Sequence, residues 1–403
     1  MNIKKEILSN IISLSSINIM GMLIPIITMP ILARALGSDL YGQYLLFMTI
    51  LIFGHTIIDY GVQYTGVRDV AQNRKNSILI KEYYAGYQTV RWILGLSYIL
   101  IITLYSSLFM NNDITYWIFI AGIPYFLGYI LTSSWFFQAI GKTKFLMYSS
   151  FVARIVNLIV IISIAATPES ITILVISATW PVLICGLILF WRLKKNYNVS
   201  LLGFSKIKKY FENGLNTFIG ILAPNLYNAI PIIIMGSIAA PHEFAKFSVA
   251  TKICEIITTF QDVIAKSIYP ALSMNNRNHL NKIILINILV SLPIFMVIYF
   301  LGDYILEMFL GHNFSDNTYL KIISIGMVFV GIANAYGQGF FLPKGLDIIY
   351  RTISIRVSIL SSVISIILIY NYQILGGAIA ITIARLLFVI DYHLVYKKLG
   401  HTL

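Results

Sequence analysis

Twelve apolar stretches, each long enough to cross the ~30 Å hydrocarbon core of a bilayer, take up nearly all of this chain. They fall at roughly 8–33, 41–63, 83–109, 116–137, 146–166, 171–191, 212–237, 244–269, 282–309, 319–341, 352–370 and 375–396, and are called predicted helices 1 to 12. A backbone in hydrocarbon must satisfy every N–H and C=O internally, so such stretches read as helices. Only 11% of the 403 residues are charged, against about 25% in soluble domains, and the connections are too short for an extramembrane domain. The fold class is an all-α polytopic membrane protein.

The formal net charge of +13 does not indicate nucleic acid, because the positive residues sit in short loops and form no dense block. Lys4 and Lys5 precede predicted helix 1, and Arg68, Arg74, Lys75 and Lys81 follow helix 2. Arg192, Lys194, Lys195, Lys206, Lys208 and Lys209 follow helix 6, and Lys397 and Lys398 close the chain. The alternate loops, at Asn111-Asn112-Asp113, Pro168-Glu169 and Asn371-Tyr372, carry no positive residue. This asymmetry predicts that both termini are cytoplasmic in a multi-pass membrane protein. No cleavable leader is expected, since Met1–Lys5 leads directly into a long apolar helix. Cys185 and Cys254 lie mid-helix without a ligand set, so neither a disulfide nor a metal site is expected. Walker, hydrolase, kinase and dinucleotide motifs are absent, so no cofactor and no enzymatic activity are expected.

The basic loop at 192–213 divides the helices six and six, giving lobes at 1–200 and 201–403. A shift of 203 residues puts Tyr41-Gly42-Gln43-Tyr44 on Phe244-Ala245-Lys246-Phe247 and Asp59 on Asp262. A shift of 202 puts Lys142, Tyr148 and Arg154 on Lys344, Tyr350 and Arg356. An even number of helices per lobe gives both lobes one orientation, related by a pseudo-two-fold along the membrane normal. Transporters built this way place substrate between the lobes. The helices that open the lobes are interrupted by Gly and Pro, at Pro25 and Pro30 and at Pro224 and Pro231. These prolines are expected to bend or unwind the helix and act as hinges, although proline is also common in membrane helices.

Predicted helix 8 carries Lys252, Glu255, Asp262 and Lys266 within an arc of about 80°. Charge within a membrane helix faces protein or water rather than lipid. Lys252–Glu255 and Asp262–Lys266 have the spacing to neutralise one another, and the stripe also suits a wet cavity wall holding anionic substrate or a coupling cation. On helix 2, His55 and Asp59 share a face and suit a proton relay, or Asp59 is a structural acceptor for Arg68. Arg91, Arg154, Arg356 and Arg385 lie inside helices 3, 5, 11 and 12 with no acid one turn away, so their partners come from other helices, water or a ligand. Arg91, Arg154 and Arg356 are near enough to a boundary to snorkel, whereas Arg385 is nearest mid-membrane. Guanidinium matches phosphate bidentately, which fits a pyrophosphate or acidic sugar.

The stretch PILARALGSDLYGQYLLF (30–47) followed by DYGVQYTGVRDVAQNR (59–74) resembles the opening of bacterial Wzx-type polysaccharide flippases, of the multidrug/oligosaccharidyl-lipid/polysaccharide exporter superfamily. WFFQAIGKTKF (135–145) and FLPKGLDIIYRTISI (341–355) resemble later segments, with departures at Ala139 and Gly141, where many relatives have Gly and Glu. The resemblance implies a two-lobed bundle of twelve helices that flips undecaprenyl-pyrophosphate-linked oligosaccharide, such as an O-antigen unit, to the periplasmic leaflet by ion-coupled alternating access. It also implies a cationic interior for the pyrophosphate, and matches Asp59, Arg34 and Arg68 to family-like positions. Candidate substrate-binding residues are thus Arg34, Arg91, Arg154, Lys252, Lys266, Arg356 and Arg385. Candidate ion-coupling residues are His55, Asp59, Glu255 and Asp262. Expected partners are the lipid bilayer, the lipid-linked oligosaccharide, and a polysaccharide polymerase with its chain-length regulator. The competing readings are a drug/cation antiporter of the same superfamily, which favours an acidic cavity, and a membrane polysaccharide polymerase, which usually has a large periplasmic loop.

Overall fold

The computed structural model describes residues 3–164, 167–204, 206–273, 280–342, 344 and 346–400, and within these every regular element is helical. Eight helices are long and apolar enough to span a bilayer. Two of them are double. Ile3–Asp59 breaks at Gly37 (φ 68°, ψ 177°), giving α1 (3–36) and α2 (38–59). The helix Asp347–Gly400 breaks at Gln373 (φ 50°, ψ −128°), giving α11 (347–372) and α12 (374–400). Glycine adopts positive φ freely, whereas for a glutamine it is a strained conformation.

The remaining spans are α3 (Ser77–Phe109), α4 (112–132, with a π turn at Ile118–Gly122), α5 (Lys144–Ile164) and α6 (Ile171–Tyr197). Next come α7 (Ile207–Asn225, continued by Ala229–Ile238) and α8 (Pro241–Ser273), which are not among the eight, then α9 (Leu280–Leu310) and α10 (Thr318–Tyr336, running into a π turn at Gly337–Phe341). This is the expected order of twelve among the described residues.

The prolines behave unequally. α1 stays helical through Pro25 and Pro30, so neither unwinds it, and the break falls at Gly37 instead. A glycine with positive φ terminates a helix, whereas an internal proline only deletes one hydrogen bond. α7 does break, with a 40° bend between Thr217–Asn225 and Ala229–Ile238, directly after Pro224. Pro231 lies inside the second piece.

The chain forms two compact units, residues 1–222 and 223–403. The division falls inside α7 rather than in the basic loop before it, because the start of α7 is part of the first unit's core. Tyr210 is buried with Tyr84, Tyr87 and Trp135. Gly86 lies flat under the Tyr210 ring, and Gly214 under the Tyr60 ring. In the same unit α4 and α6 touch through glycines, Gly128 and Gly186, whose backbones meet with no room for a methyl group. Such approach lets dispersion contacts hold helices together where lipid removes the hydrophobic drive. The second unit has its own aromatic core of Tyr336, Phe340, Phe341 and Tyr392 with Ile353 and Val357. Apolar residues such as Leu100, Leu104 and Leu108 on α3, and Ile366 and Ile367 on α11, are exposed, as lipid-facing positions should be.

The repeat leaves a mark on the backbone. In the first unit α4 ends at Ser133 (φ 44°), and a separate turn, Ser134–Ala139, follows. A shift of 203 carries residue 134 onto 337, where the second unit has its π turn Gly337–Phe341. Both units depart from α geometry at the same repeat position.

Candidate functional site

The first unit contains a buried ionic centre built by α2, α3 and α4. Arg91 on α3 is fully buried. Its Nη2 donates to Asp59 Oδ1 on α2 at 3.3 Å and to the Tyr129 carbonyl at 3.2 Å. Its Nη1 donates to the Ile130 carbonyl at 2.9 Å and to Gln88 Oε1 at 3.3 Å. The carbonyls are available because α4 stops at Ser133, leaving its last C=O groups without intrahelical donors. A cation here also meets the negative end of the helix dipole. Gln88 Nε2 reinforces the same end by donating to Ile130 O at 2.7 Å. Tyr84 Oη and Ser133 Oγ meet at 3.1 Å and complete the polar shell.

Asp59 is fixed from its other side by the Tyr129 hydroxyl, which donates to Oδ2 at 2.6 Å. His55, one turn earlier on α2, stacks on the Tyr129 ring with centroids 3.8 Å apart. Its Nε2 lies 2.8 Å from the Tyr125 hydroxyl. The proposed His55–Asp59 face therefore exists, and both residues are engaged by tyrosines of α4. The expectation that Asp59 pairs with Arg68 is not met. Arg68 lies exposed beside Asp69 (3.2 Å), and Asp59 takes Arg91 instead. The reason is topological: the helix ends after Asp59, and the turn through Tyr60 and Gly61 points the following residues away.

Arg154 on α5 extends this polar region, close enough to Tyr125 to interact electrostatically. It lies against Gly21 of α1, and its Nη1 donates to the Ile17 carbonyl at 2.7 Å. No carboxylate contacts it among the described residues, and its Nε and Nη2 take no protein acceptor.

The second unit sorts its arginines in the same way. Arg356 on α11 forms a fork with both oxygens of Asp391 on α12, with Nε 3.0 Å from Oδ2. Arg385 on α12 has no carboxylate among the described residues. Its Nη1 reaches the Ile323 carbonyl at 3.4 Å, and its stem lies on Gly326 of α10. Among the described residues the four arginines predicted inside helices therefore divide alike in each unit: Arg91 and Arg356 pair with an acid, and Arg154 and Arg385 have a backbone carbonyl as sole protein acceptor. On α8, Lys252 and Glu255 pair at 2.8 Å and are both partly accessible. The Asp262 and Lys266 side chains lie outside the described residues. Arg34 is exposed.

The charged members of the first centre, Arg91, Asp59 and His55, stand out in the sequence, whereas the neutral groups around them do not. Tyr125 and Tyr129 share a face of α4 at a spacing of four but do not stand out against an aromatic-rich background, and Gln88 and Ser133 do not stand out either. Asp391 sits 35 residues from Arg356, beyond any local spacing rule.

Comparison with known proteins adds relatives. The model of the family described as "Polysaccharide biosynthesis protein" matches residues 7–276. A protein of Escherichia coli K12 named "Putative O-antigen transporter" is 23% identical over 393 residues, covering 94% of each chain. The "Capsular polysaccharide biosynthesis protein CapF" of Staphylococcus aureus is 25% identical over 222 residues, 52% of this chain and 56% of its own. Among solved structures, the lipid II flippase MurJ in an inward closed conformation superposes with TM-score 0.71 at 15% identity, covering 95% of this chain and 87% of its own. An inward-facing multidrug resistance transporter of the MATE family also gives 0.71, at 12% identity, with 97% and 98% covered. At these identities the structural matches speak for the fold, which is that of the MurJ and MATE transporters.

Proposed function

This chain belongs to the polysaccharide biosynthesis protein family, and we propose that it is a flippase for undecaprenyl-pyrophosphate-linked oligosaccharide, an O-antigen or related repeat unit. The observation that carries the reading is the pair of arginines without an acid partner among the described residues, Arg154 and Arg385, one in each unit. A guanidinium at membrane depth is costly unless something compensates it, and a phosphate offers the bidentate acceptor geometry it matches. Arg91 and Arg356 already have carboxylates, Arg91 as a buried strut and Arg356 in a largely accessible fork. An arginine without a carboxylate partner in each unit suits an anionic headgroup better than a cationic drug.

In this mechanism the diphosphate is taken up from the cytoplasmic leaflet while the polyprenyl tail stays in lipid, and it is released at the periplasmic leaflet. Both termini face the cytoplasm, in the bacterial inner membrane. The bend after Pro224 is the conformational joint, with Pro231 in the piece beyond it. Glu255 and Asp262 on α8, with His55 and Asp59 in the first unit, are the candidates for ion coupling. A polymerase and a chain-length regulator act on the product.

The test is surface display of repeat units in a strain lacking the gene. Arg154→Gln and Arg385→Gln are each expected to lower display by roughly tenfold or more, the size of one lost charge-assisted contact, while Arg→Lys restores part of it. Normal display by the double Gln variant at normal protein level sinks the proposal.

A further inference from the structure

In the second unit, α8, α9 and α10 meet at two buried amides. Gln261 on α8 and Asn287 on α9 are fully inaccessible and converge on Gly331 of α10. A Cβ at that glycine would lie 2.9 Å from Gln261 Nε2 and 3.1 Å from Asn287 Cβ. Gln261 Nε2 donates to the Met327 carbonyl at 3.3 Å. Among the described residues Gln261 Oε1, Asn287 Oδ1 and Asn287 Nδ2 have no protein partner. Turning the Asn287 amide over exchanges its two unpaired atoms and changes nothing in the count. Each buried polar group left unsatisfied costs about 1–3 kcal/mol, and three at one junction make a bare site costly.

The unpaired atoms specify what satisfies them. Two are acceptors and one is a donor. A metal cation serves the two oxygens and is repelled by the amide N–H. A water molecule donates twice and accepts once, matching all three.

We infer that Gln261, Asn287 and the helix surface at Gly331 hold an ordered water molecule that joins α8, α9 and α10. At the shift of 203 residues that puts Asp59 on Asp262, Gln261 answers to Ile58, the neighbour of Asp59. The first unit holds this stretch with the Asp59–Arg91 ion pair, and the second holds it with amides and water. A water bridge re-forms after a displacement that a direct ion pair resists. α8, which bears the Lys252–Glu255 pair, is accordingly the helix free to shift against its neighbours.

The experiment is radiolytic footprinting of the full chain in lipid nanodiscs, where radicals formed on a bound water oxidise the residue beside it. Met327 is fully buried and its carbonyl lies at the site, so it serves as the reporter. Oxidation of Met327 in the wild-type protein is expected, falling roughly tenfold in Asn287→Leu, which removes two of the three groups a buried water needs. Replacing sodium by choline should leave the rate unchanged. An unreactive Met327 in the wild type overturns the inference without any variant. So does equal oxidation in the variant, or a rate set by sodium, which would assign the site to a cation.

Discussion

Replacing Asp59 by Asn preserves shape and a hydrogen bond to Tyr129 but strands the Arg91 charge. Breaking a buried ion pair by removing one partner costs about 3–5 kcal/mol. Two features of the site reduce this. Arg91 keeps three neutral acceptors, Gln88 Oε1 and the Tyr129 and Ile130 carbonyls. It also sits at the C-terminal end of α4, whose dipole is worth up to ~2 kcal/mol to a partly buried cation. The expected cost is about 2–3 kcal/mol. Arg91→Met removes the other partner. Asp59 then retains the Tyr129 hydroxyl and some water, since its side chain is 17% accessible, while the Tyr129 carbonyl loses its donor. This variant should cost about 2–4 kcal/mol. The double variant leaves no charge behind, so it should cost less than the sum by at least ~1.5 kcal/mol. All five tryptophans, Trp92, Trp117, Trp135, Trp180 and Trp191, belong to the first unit, so their fluorescence in a detergent-denaturant titration reports on that unit. Asp59→Asn within about 0.5 kcal/mol of wild type, or additive single variants, would refute the view that this pair holds α2, α3 and α4 together.

Three further outcomes are expected. Gly186→Ala forces the α4–α6 backbones apart at Gly128 and should destabilise the same unit by about 1–3 kcal/mol in the same titration. Arg356→Gln breaks a fork that is largely accessible on the arginine side, so it should change thermal stability by no more than about 1 kcal/mol. Asp316, between α9 and α10, is bonded to the Thr318 N–H at 3.0 Å and hydroxyl at 2.7 Å. Burial raises its pKa, but the Thr318 bonds with Lys246 and Lys321 outweigh this and hold it below the ordinary value. A depressed carboxyl stabilises above its unfolded pKa, so the contribution is complete above about pH 4 and lost as the pH falls further. Asp316→Asn should flatten that acidic limb in a pH series of unfolding curves.

How far the residues foretold the structure depended on the range of the force involved. Hydrocarbon imposes helix on any long apolar stretch, so the twelve spans and their order could be read directly. A charge inside such a stretch must be compensated, which picked out Arg91, Arg154, Arg356 and Arg385. The compensators were hidden, because Asp59, Tyr129 and Asp391 reach their partners across helices and no periodicity records a crossing. The ends of helices were hidden as well. Pro25 and Pro30 gave the stronger local signal, yet the chain turns at Gly37, where free φ matters more than a missing N–H. Tyr210 shows the same effect at larger scale: the basic loop before it suggested a boundary, and an aromatic core reaches past the loop to claim the helix that follows.

That placement of Tyr210 sets rules for anyone cutting or recombining this chain. A hybrid joined within the loop at 198–206 would give the first unit a foreign α7, leaving the hollow at Gly86 without Tyr210 and the Tyr60 ring without the flat face of Gly214. A join at 226–228, in the break of α7, carries those partners along with their hosts. Relatives that exchange substrate range by swapping segments should have crossed over at the second point, and fragments expressed separately should reassemble only when cut there.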